Sequence, residues 1–137
     1  MKTTAIVILN WNGVDYLNTF LPVLIQHTTQ PGVDIYVADN ASSDGSAQLL
    51  KERFDTVKTI FLDKNYGFAG GYNRALQQIK ADFYVLLNSD VEVTQNWLTP
   101  LLDYMDQHPD IGACQPRLLS FNRRDYFEHA GAAGGVS

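Results

Sequence analysis

The side chains with chemistry to offer fall into four short polar clusters: Asn10-Trp11-Asn12, Asp39-Asn40, Asp63 to Asn65, and Asn88-Ser89-Asp90. Asp90 is the first candidate. A carboxylate held just past an apolar run suits a hard divalent cation, Mg²⁺ or Mn²⁺, which takes oxygen ligands and completes its shell with phosphates and water. Asn88 lies two residues earlier, a spacing that sends both side chains to the same side of an extended chain. One can then touch a nucleotide while the other touches the metal. The same three residues also make an ordinary turn capping the next element. Asp39 can accept a hydrogen bond from a base N–H or a ribose hydroxyl. Equally, Asp39-Asn40 with the following Ser42-Ser43-Asp44-Gly45 is good loop and helix-capping chemistry, and Asp44 and Ser46 read as caps rather than ligands.

In the stretch Asn65 to Arg74, the glycines Gly67, Gly70 and Gly71 permit close backbone approach at a helix start. Free N–H groups and the helix dipole favour phosphate there, and Arg74 can add a positive charge. The plainer alternative makes Gly67 a turn residue, Phe68 part of the core and Arg74 a solvated helix residue. Trp11 can stack on a base or sugar, burial being the simpler expectation. His27, His108 and His129 lie far apart, without the spacing of metal ligands. Phe127 to Gly131 fits either a sugar-pocket lining or a plain edge strand.

These clusters need elements to position them. Thr4 to Leu9 is a short β-branched apolar run, read as a buried strand that ends at Asn10. Leu17, Phe20, Leu21 and Leu24 then recur at helical spacing, with Pro31-Gly32 a few residues beyond the helix end. Val33 to Ala38 and Val57 to Leu62 make further strands, separated by a helix carrying Ala47, Leu50 and Phe54. A third helix shows Phe68, Tyr72, Leu76 and Ile79 on one face and runs to about Lys80. Phe83 to Leu87 is a continuous apolar strand of the kind covered on both faces. A last helix with Leu98, Leu101, Leu102 and Met105 stops near His108-Pro109, and Ile111 to Cys114 begins a fifth strand, with Cys114 read as a small buried hydrophobe.

Strands alternating with helices predict an α/β fold with an open, mostly parallel sheet and helices on both faces. In such sheets ligands sit at the carboxyl ends of the strands. All four polar clusters fall at those ends, so the alternation gathers them along one rim.

Bulk properties narrow the function. The 137 residues allow one α/β core and are few for a two-substrate enzyme. A net charge of -5 with no basic run argues against nucleic acid as a partner. The apolar run from Ala5 stops at Asn10, too soon for a signal peptide, and no stretch approaches a membrane span. A cytoplasmic chain is expected, with peripheral attachment to the inner face of a membrane still permitted. The loop after the first strand lacks the glycine spacing of a nicotinamide-binding fold, no Gly-x-x-x-x-Gly-Lys occurs, and Asn10 is not the acidic pair of a response-regulator switch.

Four blocks then carry a resemblance to the family 2 glycosyltransferases of the GT-A fold, especially rhamnosyltransferase-like members. They are Ile6 to Gly13, Val37 to Ser46, Asn65 to Asn73, and Leu86 to Asp90, and the glycine-rich stretch Phe127 to Gly135 is similar as well. The resemblance implies a Rossmann-like GT-A domain that is incomplete, with residues 1–117 as the donor-binding core and 118–137 as the start of an acceptor-side segment. It implies transfer of a sugar, with inversion, from a nucleoside-diphosphate sugar such as dTDP-rhamnose or a UDP-hexose to a glycan or lipid-linked acceptor. Asp39 would contact the base, and Asn88-Ser89-Asp90 would stand in the place of the Asp-x-Asp motif with Asp90 on Mg²⁺ or Mn²⁺. Asn88 departs from the acidic first position of that motif. The nucleotide site as a whole is expected to draw on Asn10, Asn12, Asp39, Asn65, Gly67, Arg74 and Asn88. No catalytic residue is assigned, because the resemblance puts the base beyond Ser137; the chain alone is then expected to bind donor weakly and transfer no sugar. The rival expectation is a non-catalytic nucleotide-sugar-binding module.

Overall fold

The computed structural model describes residues 2–107 and 113–114. The β-branched run at the amino end forms β1 (Thr4–Asn10), followed by α1 (Val14–Gln26), β2 (Val33–Asp39), α2 (Ser46–Arg53) and β3 (Lys58–Phe61). Then come α3 (Gly67–Gln77), β4 (Phe83–Asn88), α4 (Thr99–Gln107) and β5 (Ala113–Cys114). Every pairing among these strands is parallel, and the sheet order is β3-β2-β1-β4-β5. The chain therefore works outward from β1 to β3, then returns across β1 to place β4 on its other side. That reversal makes a topological switch point between β1 and β4, where the crevice at the strand ends opens.

Each sheet face is buried under helices, which explains the continuous apolar runs. Ile6 and Ile8 of β1, Val37 of β2, and Val85 and Leu87 of β4 pack with Leu17, Leu21 and Leu24 of α1, Leu50 of α2 and Met105 of α4. On the opposite face Ala5, Val7 and Ala38 meet Tyr72 and Ala75 of α3, with Ile79 just beyond that helix. Magnitudes settle how α1 tolerates Pro22 in its interior. A helix-interior proline costs roughly 3 kcal/mol, whereas burying one leucine contributes about 1.5–3 kcal/mol. The three leucines of α1 are almost fully buried, so their packing outweighs the proline.

Three expectations are corrected here. Trp11 is 55% exposed rather than buried, because the chain turns away from the sheet directly after Asn10. Phe68 is 59% exposed rather than in the core, since it sits in the first turn of α3, while the buried face of that helix is built from Gly71, Tyr72 and Ala75. α3 also ends at Gln77, short of Lys80. The connection after β4 was not legible as structured, yet Val91, Val93 and Trp97 from it are buried against the α1 face of the sheet, together with Leu98, which the helical spacing places on the last helix but which precedes the start of α4 at Thr99. Trp97 donates its indole N–H to the Thr28 hydroxyl at 3.0 Å, which ties this connection to the end of α1. Residues 118–137, the stretch Phe127 to Gly135, His108 and the side chain of Cys114 lie outside the described residues. Among the described residues no helix is long and apolar enough to cross a membrane.

Candidate functional site

Parallel register brings Asn10 beside Asp39 at the ends of β1 and β2. Both are buried polar residues, Asn10 fully and Asp39 to 3% exposure. The Asn10 amide donates from Nδ2 to Asp39 Oδ1 at 2.9 Å and to Ser42 Oγ at 3.3 Å. A carboxylate only accepts, so this contact fixes which way the amide points. Its oxygen, Asn10 Oδ1, is left buried without a hydrogen-bond partner. Gly13 is glycine for a local reason: a Cβ there would stand 2.6 Å from that oxygen and 3.6 Å from Ser89 Oγ. The turn after β4 is thus brought close to the loop after β1.

Ser42 organises the neighbourhood. Its hydroxyl donates to Asp39 Oδ1 at 2.7 Å, and its backbone N–H donates to Asp39 Oδ2 at 3.0 Å. The same hydroxyl accepts the backbone N–H of Asn12 at 2.8 Å. Asn12 holds a left-handed backbone, φ 51°, and its Oδ1 accepts the Ser43 N–H at 2.8 Å. The loops after β1 and β2 are stitched together by these bonds. Asp44 extends the seam, because it accepts the Val14 N–H at the start of α1 and both the N–H and hydroxyl of Ser46 at the start of α2. Asp44 thus satisfies the first N–H of two helices at once, although the N-cap positions themselves are Gly13 and Gly45, and Ser46, expected as a cap, is instead the first residue of α2 and a donor to Asp44. Slight burial works to raise the Asp44 pKa, but the hydrogen bonds from Ser46 and Val14 outweigh it and hold the carboxyl below its ordinary value.

A second cluster surrounds the start of α3. Asn40 is 2% exposed; its Oδ1 accepts the Tyr66 N–H at 2.9 Å and its Nδ2 donates to the Gly67 carbonyl at 3.0 Å. Asn65 Oδ1 accepts the Gly67 N–H at 2.8 Å, and Gly67 itself takes a positive φ of 76° that favours glycine. A Cβ at Gly71 would lie 2.8 Å from Leu9 and 2.9 Å from the Asn40 amide, so its absence lets α3 close onto the sheet end. The Arg74 guanidinium stacks 3.9 Å from the Tyr66 ring, whose hydroxyl donates to Asp63. That bond holds the Asp63 carboxyl below its ordinary value and raises the Tyr66 phenol. Deeper in, burial pushes the Tyr72 hydroxyl up to about 12, and it donates to the Leu87 carbonyl at 3.1 Å.

The third cluster is the turn after β4. Asn88 pairs in register with Leu9, so it takes the sheet face opposite to Asn10 and Asp39. The strand ends at Asn88 and Ser89-Asp90 form a turn, so the spacing of two no longer fixes Asp90 on the same side as Asn88. Asn88 is exposed and Asp90 half-buried, and neither side chain makes a hydrogen bond among the described residues. Among those residues no three His, Cys, Asp or Glu side chains gather into a cage for a metal ion. The donors at this turn, a carboxylate, a hydroxyl and an amide oxygen, are all hard. They fit Mg²⁺ or Mn²⁺ in the open mode, where one carboxylate anchors the ion and phosphates with water supply the rest.

The structure brings Asn10, Asn12 and Asp39 into one bonded network. Asn65, Gly67 and Arg74 stand around the start of α3, joined to the first network through Asn40, while Asn88 and Asp90 occupy the switch point. From sequence, Asn40 counts only as part of the Asp39-Asn40 cluster and Ser42 only as capping chemistry, and neither is assigned to the site. The available signal was their placement within three residues of Asp39, but their partners lie up to 32 residues away.

A parallel sheet of this order, covered by helices on both faces and carrying its polar clusters at the carboxyl ends of its strands, is a doubly wound α/β fold, and solved glycosyltransferases of the GT-A class share it. It superposes on S. aureus TarS 1-349 in complex with UDP-GlcNAc with a TM-score of 0.67 and 22% identity, over 77% of this chain and 32% of that one. The mannosyltransferase PcManGT from Pyrobaculum calidifontis, in complex with GDP-Man and Mn²⁺, gives a TM-score of 0.61 and 16% identity over 71% of this chain and 32% of that one. The model of the family named "Glycosyl transferase family 2" matches residues 5–133, and the chain belongs to that family. Among curated relatives, the N-acetylglucosaminyl-diphospho-decaprenol L-rhamnosyltransferase of Mycobacterium tuberculosis is 27% identical over 122 residues, which cover 81% of this chain and 39% of that protein. The chain thus spans about two fifths of that relative's length.

Proposed function

We propose that this chain is the donor-binding part of a metal-dependent, inverting glycosyltransferase that takes a nucleoside-diphosphate sugar, dTDP-rhamnose or a UDP-hexose, and glycosylates a glycan or lipid-linked acceptor. One observation carries the reading. A buried, pre-oriented carboxylate at Asp39 and a carboxylate at Asp90 with no described protein partner flank the switch point, where nucleotides bind in open α/β sheets. Asp39, held by Asn10, accepts from the base. Asn12, Asn65 and Gly67 line the nucleotide, and Asn88 contacts its ribose side. The N–H groups of the first turn of α3 beyond Gly67, whose own N–H is held by Asn65, and the Arg74 guanidinium face the diphosphate, where the helix dipole and a fixed cation both favour negative charge. Asp90 holds Mg²⁺ or Mn²⁺, which when bound neutralises charge on the departing diphosphate.

Inversion requires the acceptor hydroxyl to attack the anomeric carbon from the face opposite the diphosphate as a carboxylate takes its proton. A lipid-linked acceptor would draw the chain to the cytoplasmic face of a membrane without any span of its own. Support comes from the TarS and PcManGT complexes, whose bound UDP-GlcNAc and GDP-Man are nucleotide sugars, the latter accompanied by Mn²⁺. Isothermal titration of the chain with UDP and dTDP, with and without Mn²⁺, tests the reading. Mn²⁺ should tighten nucleotide binding, and Asp90→Asn should abolish that increment with the melting temperature unchanged. Affinities indifferent to both Mn²⁺ and Asp90→Asn would refute it.

A further inference from the structure

The Asp39 carboxylate is nearly saturated by its protein neighbours. A carboxylate offers about two acceptor positions on each oxygen. On Oδ1 both are taken, one by Asn10 Nδ2 at 2.9 Å and one by the Ser42 hydroxyl at 2.7 Å. On Oδ2 one is taken, by the Ser42 N–H at 3.0 Å. A single acceptor position on Oδ2 remains for a ligand. At 3% exposure the carboxylate has little freedom to turn and offer more.

Bases differ in what they present to such a group. Uracil and thymine carry one ring N–H between two carbonyls. Guanine carries N1–H and an amino N–H side by side, a pair matched to both oxygens of a free carboxylate, much as a guanidinium fork is. Here guanine would either leave one N–H unpaired against a buried site or displace the Ser42 hydroxyl, and each outcome is unfavourable. The fold alone does not decide the matter, because solved structures sharing it hold UDP-GlcNAc in one case and GDP-Man in another.

We infer that the site selects uridine or thymidine diphosphates over guanosine diphosphate, and that Ser42 is the positioning residue that sets this choice by occupying Asp39 Oδ1. The inference rests on the nucleotide-sugar reading above and adds to it the residue that sets the base preference. Ser42 acts through Asp39 and touches no reacting atom.

Isothermal titration of the 137-residue chain with UDP, dTDP and GDP in the presence of Mn²⁺ provides the test. UDP or dTDP should bind about tenfold more tightly than GDP, the scale of one hydrogen bond to a charged group. Ser42→Ala frees a position on Oδ1 and should bring the GDP-to-UDP ratio of dissociation constants close to one. Ser42→Thr keeps the hydroxyl and should keep the ratio. A merely structural serine would weaken all three nucleotides alike and leave the ratio unmoved. Should Ser42→Ala fail to fold, the wild-type ratio and Ser42→Thr still decide. If none of the three nucleotides binds, the nucleotide-sugar reading itself falls. If all bind but GDP equals or exceeds UDP and dTDP, the reading stands and the base selection is overturned. An unchanged ratio in folded Ser42→Ala removes Ser42 from the account.

Discussion

The two sides of the switch point are built differently. On the β1–β2 side, Asn10, Asn12, Asp39 and Ser42 are bonded to one another across two loops, Asp44 ties the same loops to the starts of α1 and α2, and the polar groups at the centre are buried. On the β4 side, Asn88 and Asp90 stand exposed or half-exposed, with no described side-chain hydrogen bond. One side is pre-organised by the protein, and the other is left open for groups that arrive with a ligand. A rigid base-recognition edge costs little further ordering on binding, whereas a hard cation needs unoccupied oxygen donors. Substitutions should therefore divide by side, with stability effects on the first and binding effects on the second.

The largest stability loss is expected from Asn10→Ala. It removes a donor from a buried carboxylate, and the loss should reach about 2–3 kcal/mol in urea denaturation. A loss under half a kcal/mol, on the order of a surface substitution, would show that the β1–β2 network is not what holds the rim. Next comes Gly71→Ala, which drives a methyl into Leu9 and the Asn40 amide. Overpacking of this kind costs about 1–3 kcal/mol; it should lower the melting temperature and weaken nucleotide binding together, because α3 can no longer seat against the sheet.

Acid should act more gently and on the loop side. Asp44 has its folded pKa below the ordinary 3.8, through its bonds to Ser46 and Val14. A depressed carboxylate contributes stability in full above its unfolded value and loses it as pH falls through the lower folded value. Melting temperatures should therefore show no Asp44-dependent slope between pH 7 and 5 and a decline below about 4, which Asp44→Asn should flatten. The Asp82 carboxyl, held low by the Thr3 N–H at the opposite end of the sheet, adds a decline of the same sign that Asp44→Asn leaves in place. Smallest in stability is Asp90→Asn, expected within about 0.5 kcal/mol of wild type as for an open surface site, while its Mn²⁺-linked binding disappears.

The fold was legible because apolar runs and helical spacing are local signals. β1, β2, β4 and the leucines of α1 emerged within a residue or so of their observed places. Legibility failed where position depends on distant partners. Nothing in the local pattern told that Trp11 turns outward, that Phe68 projects from the first turn of α3, or that Val91 and Val93 pack an irregular connection under α1. Asp39 and Asp90 were identifiable as candidates because each follows a strand. The stitching by Ser42 and Asn40 was not, since it joins residues 26 to 32 positions apart that only the tertiary fold brings together, the β1–β2 register for Ser42 and the seating of α3 on the sheet end for Asn40. The alternation rule for Asn88 and Asp90 broke for a similar reason: it holds only while the chain stays extended, and β4 stops at Asn88.

Paramagnetic broadening by Mn²⁺ examines the central claim most directly. With UDP or dTDP present, substoichiometric Mn²⁺ should erase the backbone amide signals of Ser89 and Asp90 first and then those of Asn12 and Gly67, leaving Thr3 and Asp82 at the far end of the sheet sharp. Broadening spread evenly over the surface acidic residues, with Ser89 and Asp90 no more affected than Asp82, would contradict the assignment of this rim as a metal–diphosphate site.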